Sequence, residues 1–295
     1  MADMALVLAY AISVCLYLRI LAAFVLGGFG MDSDWGEQFV AVVLILGIGA
    51  TGYVRGLEIL EFLEQWALVV TLLIIVVLLV GFGLYDLARL RESAAVFPDV
   101  PGNSVWAILA QVGGTLIVVQ GFETSRYLAE EYDTETRIAS CRLAQLVATF
   151  VYVLFVSLAT PITHVLPEAV ADDGLLLVVT EAAPLLVVPL VIAAALSQFS
   201  AAVADTIGGG GNLQEATHGH IDSRHAYLGI CGFAAAVVFF DTLQILAFAS
   251  RAFAFYYALQ CLVAYQVAEE RVARIGIAVL GVVLLLITFF AIPAG

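Results

Sequence analysis

The sequence contains no lysine, and its 11 basic residues, all arginines, face 25 acidic ones. Charged residues make up only 12% of the chain, roughly half of the ~25% usual in soluble domains. That scarcity excludes a soluble helical core of this size, whose polar surface these residues do not supply. A nucleic-acid partner is excluded as well, since it would require a basic stripe and the net charge here is −14. Cysteine offers no chemistry either. Cys15, Cys141, Cys231 and Cys261 lie in or beside apolar segments, with neither metal-ligand spacing nor a disulfide framework, and read as small buried hydrophobes. The N-terminus lacks the basic region and cleavage site of a secretory signal peptide. No Ser-His-Asp order or zinc motif stands out, and the run Gly208 to Gly211 is not followed by the Lys-Ser/Thr of a phosphate loop. No enzymatic activity, cofactor or metal site is expected.

What the chain does contain is apolar sequence. Of its 295 residues 63% are hydrophobic, with a mean hydropathy of +1.07. About 20 apolar residues cross a hydrocarbon core ~30 Å thick. On that ruler nine segments are expected, near residues 4–29, 39–53, 59–85, 105–132, 140–165, 178–207, 226–240, 243–268 and 272–292. A polar connection with Pro98 and Pro101 follows the third. The expected fold is an all-α polytopic membrane protein of about nine transmembrane helices.

The arginines orient it. With the first segment running outward, Arg55, Arg137, Arg142, Arg224, Arg271 and Arg274 fall in cytoplasmic connections, and only Arg89 and Arg91 fall outside. The outer connections GMDSDWGEQ and LPEAVADDG are acidic. The C-terminus would then lie outside.

Three segments carry groups that do not belong in lipid. The fourth changes character within GGTLIVVQGFETSRYLAEE (113–131): Gln120-Gly121 interrupts the apolar run, and Glu123, Arg126, Glu130 and Glu131 follow. Non-helical backbone at membrane depth is tolerated only where protein or a water-filled cavity surrounds it, and half-helix ends in such a break can hold a solute or ion. The sixth segment carries Ser197, Ser200 and Asp205, and the eighth carries Arg251. A charge near the bilayer centre costs several kcal/mol unless it faces the bundle and finds a partner, so Arg251 is expected to pair with Asp205 or Glu123.

At these residues the sequence resembles the amino acid–polyamine–organocation (APC) permease superfamily, which shares a five-plus-five inverted-repeat fold with broken first and sixth helices. Gly121-Phe122-Glu123, the acidic pair Glu130-Glu131 and Arg137 fall on the pattern of the family's sixth helix. LAYAISVCLYLRILAAF resembles the third helix, and GLEILEFLEQWALVVTLLIIVVLL the fifth. The resemblance implies a single transmembrane domain, 1–295, matching the third to eleventh helices as an N-terminally truncated member. Residues 1–85 would be the remainder of the first repeat, 103–268 the second repeat with its helix broken at 118–124, and 272–292 an additional helix. The broken first helix, which supplies the other half of the family's solute site, would be absent.

The resemblance implies secondary transport of a small organic solute, an amino acid or related amine, coupled to H⁺ or Na⁺ across the cell (inner, cytoplasmic) membrane. Gln120, Gly121, Phe122 and Glu123 would hold the solute, and Ser197, Ser200, Asp205 and Arg251 would couple the cation. Arg126, Glu130, Glu131 and Arg137 would form a cytoplasmic gate. Each has a plainer reading: a Gly-tolerant packing point with Glu123 capping a helix, serines bonded within their own helix, a structural Arg251 pair, a solvated charged loop. His218, His220 and His225 read as loop residues, and Tyr256-Tyr257 as packing. The alternative function is a non-transporting membrane receptor or regulatory protein, or an inactive truncated fragment of a permease.

Overall fold

The computed structural model describes residues 2–31, 33–91, 102, 104–128, 132–167 and 172–293; the side chains of 58–65 and 126–128, and the connection bearing Pro98 and Pro101, lie outside that description. Its elements are helical throughout. They are α1 (Ala2–Gly28), α2 (Asp34–Arg55), α3 (Glu58–Arg91), α4 (Val105–Gly114), α5 (Thr134–Ala159), α6 (Gly174–Ala182), α7 (Val187–Ala216), α8 (Ser223–Val237), α9 (Thr242–Val267) and α10 (Arg271–Phe290). Four 3₁₀ stretches join them, at Leu116–Val119, Phe122–Leu128, Thr160–Val165 and Pro184–Leu186.

In segments this apolar, hydrophobic periodicity says little about where a helix begins, and polar caps mark the starts instead. Ser33, Ser104, Asp133, Asp222 and Asp241 each accept a hydrogen bond from a backbone N–H of the first turn, at 3.3, 3.2, 2.7, 2.9 and 3.0 Å respectively. Each satisfies a donor that the helix itself cannot.

Among the described residues seven helices are long and apolar enough to cross a membrane, and the bent pair formed by α4 and Leu116–Ser125 makes an eighth. The seventh expected segment, 226–240, corresponds to α8, whose 15 residues reach only about 22 Å at 1.5 Å per residue. The sixth expected segment, 178–207, also needs correction. Pro184, with no N–H to give, separates the short α6 from α7, and α7 then continues through the glycine run to Ala216.

α1 is the axis of the bundle. Its low amphipathicity suits a helix covered on all sides, and Leu6, Ala9, Tyr10, Val14, Cys15, Leu18 and Ala22 are fully sealed from solvent. It packs against α7 and α9, with α2 and α8 completing the cluster. Lipid tails are as apolar as these side chains, so close packing rather than hydrophobic exclusion holds such helices together. Gly208 to Gly210 on α7 allow it: a Cβ at Gly208 would lie 3.2 Å from the Tyr10 ring, one at Gly209 2.8 Å from Ile230, and one at Gly210 would overlap Tyr227. A second cluster joins α3, α6 and α7 around Phe82, Ile162 and Val179. α10 buries little beyond Leu284 and leaves its other faces exposed.

Candidate functional site: a helix break facing buried carboxylates

α4 ends at Gly114, and the chain turns by 55° before Leu116–Ser125. Beyond the 3₁₀ turn, Gln120 is extended (ψ 175°) and Gly121 adopts φ +111°. L-residues rarely occupy that region, so glycine here serves the backbone path directly. The freed backbone groups find partners on neighbouring helices, as the membrane requires. The Ile117 N–H donates to Ser250 Oγ of α9 at 3.1 Å. Tyr152 Oη and Gln145 Nε2 of α5 donate to the Val118 and Val119 carbonyls at 2.9 and 3.2 Å.

Past the break, Glu123 turns inward and is only 7% exposed. Its Oε2 accepts the Gly121 N–H at 3.0 Å and Tyr257 Oη at 2.9 Å, while Tyr10 Oη approaches Oε1 at 3.4 Å. Tyr257 therefore does more than pack, although its ring also stacks on Phe122 at 5.1 Å. Gln120 Nε2 donates to Tyr17 Oη at 2.6 Å, and its Oε1 is buried without a partner among the described residues. Phe122 is half-exposed.

One helical turn along α1 from Tyr10, Ser13 Oγ donates to Asp205 Oδ2 of α7, whose residue is 4% exposed. Tyr10, Ser13 and Tyr17 thus line one face of α1 and link the break to Asp205. Among the described side chains, no cation pairs with either Glu123 or Asp205.

The expected Arg251–Asp205 pair is not formed. Arg251 Nε donates to the Ala291 carbonyl at 2.9 Å, and its Nη2 reaches the same oxygen. The end of α10 presents unpaired carbonyls and the negative end of its dipole, which together receive the guanidinium. Ser197 and Ser200 are half-buried on α7, and Asp205 takes its hydrogen bond from Ser13 rather than from either. Of the expected gate, Arg137 Nη1 donates to the Ser125 carbonyl at 3.2 Å, tying α5 to the end of the break. Glu130, Glu131 and the Arg126 side chain lie outside the described residues. His225 pairs with Asp222 at 2.6 Å and packs edge-on to Tyr53, and no group of three metal-capable side chains occurs among the described residues.

A second charged cluster lies at the outer end. Arg19 of α1 is 3% exposed and donates to Thr242 Oγ1, at the start of α9, from Nη2 at 3.0 Å. Glu37 of α2 stands 3.6 Å and Asp172 3.8 Å from Nη2, as ion pairs without hydrogen-bond contact. Burial pushes the Asp172 carboxyl above its ordinary value, against the lowering effects of Thr242 and Arg19. The acidic outer connections thus fold back onto one buried cation. Arg19 was open to the same test as Arg251, a charge inside an apolar run. Tyr10, Ser13 and Tyr17 carried a signal too, as polar residues at i, i+3 and i+7.

A polytopic α-helical bundle with one discontinuous helix, its break facing buried carboxylates, has the architecture of a membrane solute carrier. A family model described as APC superfamily transporter matches residues 1–291. An uncharacterized protein of Aquifex aeolicus (strain VF5) is 38% identical over 276 residues, which is 92% of this chain and 66% of that relative's length. The chain belongs to the APC transporter superfamily and is a multi-pass membrane protein.

Proposed function

We propose that the protein takes part in secondary transport of a small organic solute, an amino acid or related amine, driven by H⁺ or Na⁺ across the cell (inner) membrane. The observation that carries this reading is the pair of buried carboxylates, Glu123 and Asp205, with no countercharge among the described side chains. A buried charge without a partner is strongly disfavoured, so each carboxylate is suited to take a cation from outside the chain. A solute ammonium meets Glu123, the Gln120 Oε1 acceptor and the backbone opened at Gly121, with Phe122 over it. The coupling cation meets Asp205. If that cation is Na⁺, Ser197 and Ser200 supply further oxygens; if it is H⁺, Asp205 alone suffices. Access changes by rocking of helices about the break, and Arg137 holds the cytoplasmic end of the broken segment.

The test is uptake into proteoliposomes under an imposed H⁺ or Na⁺ gradient, using a panel of amino acids and amines. Glu123→Gln and Asp205→Asn should each abolish gradient-driven accumulation while leaving the protein folded. Full accumulation by both variants overturns the proposal. Solute-dependent thermal stabilisation without uptake in the native protein favours a receptor instead.

A further inference from the structure

A cavity of about 590 Å³ opens at the end of the bundle that the arginines assign to the cytoplasm, between the last turn of α9 and the start of α10. Tyr265, Glu269, Arg271, Arg274, Ile275 and Val279 line it. The four α10 residues fall at i, i+3, i+4 and i+8, so they form one face of that helix. Their order runs along α10 from its start: two guanidinium groups first, then aliphatic side chains, Ile275 and Val279, which are 56% and 58% exposed. Arg274 is held in place, its guanidinium lying 4.7 Å from the Tyr265 ring centroid. Among the described residues neither arginine is ion-paired, although Glu269 lies on the same rim.

We propose that this cavity binds the headgroup of an aminophospholipid, one carrying a phosphate and a primary ammonium. The phosphate matches the two arginines, as charge-assisted, fork-shaped donors. The ammonium matches Glu269, which a purely anionic headgroup would repel. One acyl chain follows Ile275 and Val279 into the bilayer. A soluble phosphate or acidic peptide has no counterpart to that apolar wall. The site is separate from the helix break and does not depend on the transport reading.

The test uses the full chain, stripped of lipid in detergent and given equimolar phosphatidylethanolamine, phosphatidylglycerol and phosphatidylcholine. Native mass spectrometry then reads which lipid stays bound. Phosphatidylethanolamine should be retained severalfold over both others. Arg271→Gln and Arg274→Gln should each lower its retention about fivefold, the effect of one basic side chain at a membrane surface. Glu269→Gln should keep binding but erase the preference over phosphatidylglycerol. Arg224→Gln, at the start of α8, should change nothing. Equal retention of the three lipids overturns the proposal, as does phosphatidylglycerol exceeding phosphatidylethanolamine. Wild-type retention in both arginine variants, or loss of retention in Arg224→Gln, overturns it equally.

Discussion

The outer end of α1 meets half-buried acid and its middle meets buried acid, and they answer it in opposite ways. At the outer end Arg19 sits between Glu37 and Asp172, so that a cation built into the chain serves carboxylates from two other elements. In the middle, Glu123 and Asp205 meet, among the described residues, only hydroxyl and N–H donors from Tyr10, Ser13, Tyr257 and Gly121. A buried ion pair that lacks one member is costly, so the outer cluster acts as a staple joining α1, α2, α9 and the approach to α6. Hydroxyl-ringed carboxylates can change their charge state without losing their neighbours, since a neutral acid still accepts hydrogen bonds. One arrangement suits permanence and the other suits exchange.

Removing the staple's cation should give the largest effect. Arg19→Leu leaves two carboxylates in a nearly closed space and should cost about 3 kcal/mol of stability, read as a lower thermal unfolding midpoint in detergent; Arg19→Lys should recover part of it. An unchanged midpoint in Arg19→Leu would dissolve the contrast between the two regions. Gly121→Ala comes next, at about 2 kcal/mol. A Cβ there meets nothing within 4 Å, so the cost lies wholly in its φ of +111°. Gly211→Ala is the matched control, because its Cβ also meets nothing but the backbone is helical; that change should be neutral or slightly stabilising.

The inner carboxylates should matter less to folding than to function. Asp205→Asn and Glu123→Gln each keep one acceptor oxygen, and the new amide NH2 can donate to a hydroxyl oxygen, so they should shift stability by about 1 kcal/mol or less. A loss in either variant as large as that of Arg19→Leu would mean that the inner pair is a staple too. The smallest effect concerns a surface carboxylate. The His225 backbone N–H, reinforced by the His225 side chain, holds Asp222 below the ordinary carboxylate value. A folded-state value below the unfolded one contributes stability that is present above the usual carboxylate range and lost as pH falls through the lowered value. Protection factors for amide exchange in the first turn of α8, taken against the intrinsic rate at each pH, should therefore fall on acidification, and Asp222→Ala should remove that pH dependence.

Local chemistry was legible from residue order. Gln120-Gly121 marked a discontinuity because glycine and a polar amide interrupt an apolar run, and the backbone does bend just before them, at Thr115. Glu123 could be picked out as the intramembrane acid beside that break. The extent of α7 was not legible, because a run of four glycines normally weakens a helix, and here Gly208 to Gly210 serve close packing against α1 and α8 instead. Nor was the partner of Arg251, since a guanidinium donates to any oxygen within reach and an α10 carbonyl can stand in for an acid.

By itself, then, the sequence determined that this is a membrane protein, where most of its apolar runs lie and that one helix breaks. Those properties depend on composition and on neighbours within a turn or two. Which group answers which charge was decided only by tertiary structure. Tyr257 and Glu123 are 134 residues apart, Ser13 and Asp205 192, and Arg251 and Ala291 40. Hydrogen-bonding groups are not selective along a chain, and packing chose among the many partners available, setting Arg19 among acids and leaving Glu123 and Asp205 without a cation among the described side chains.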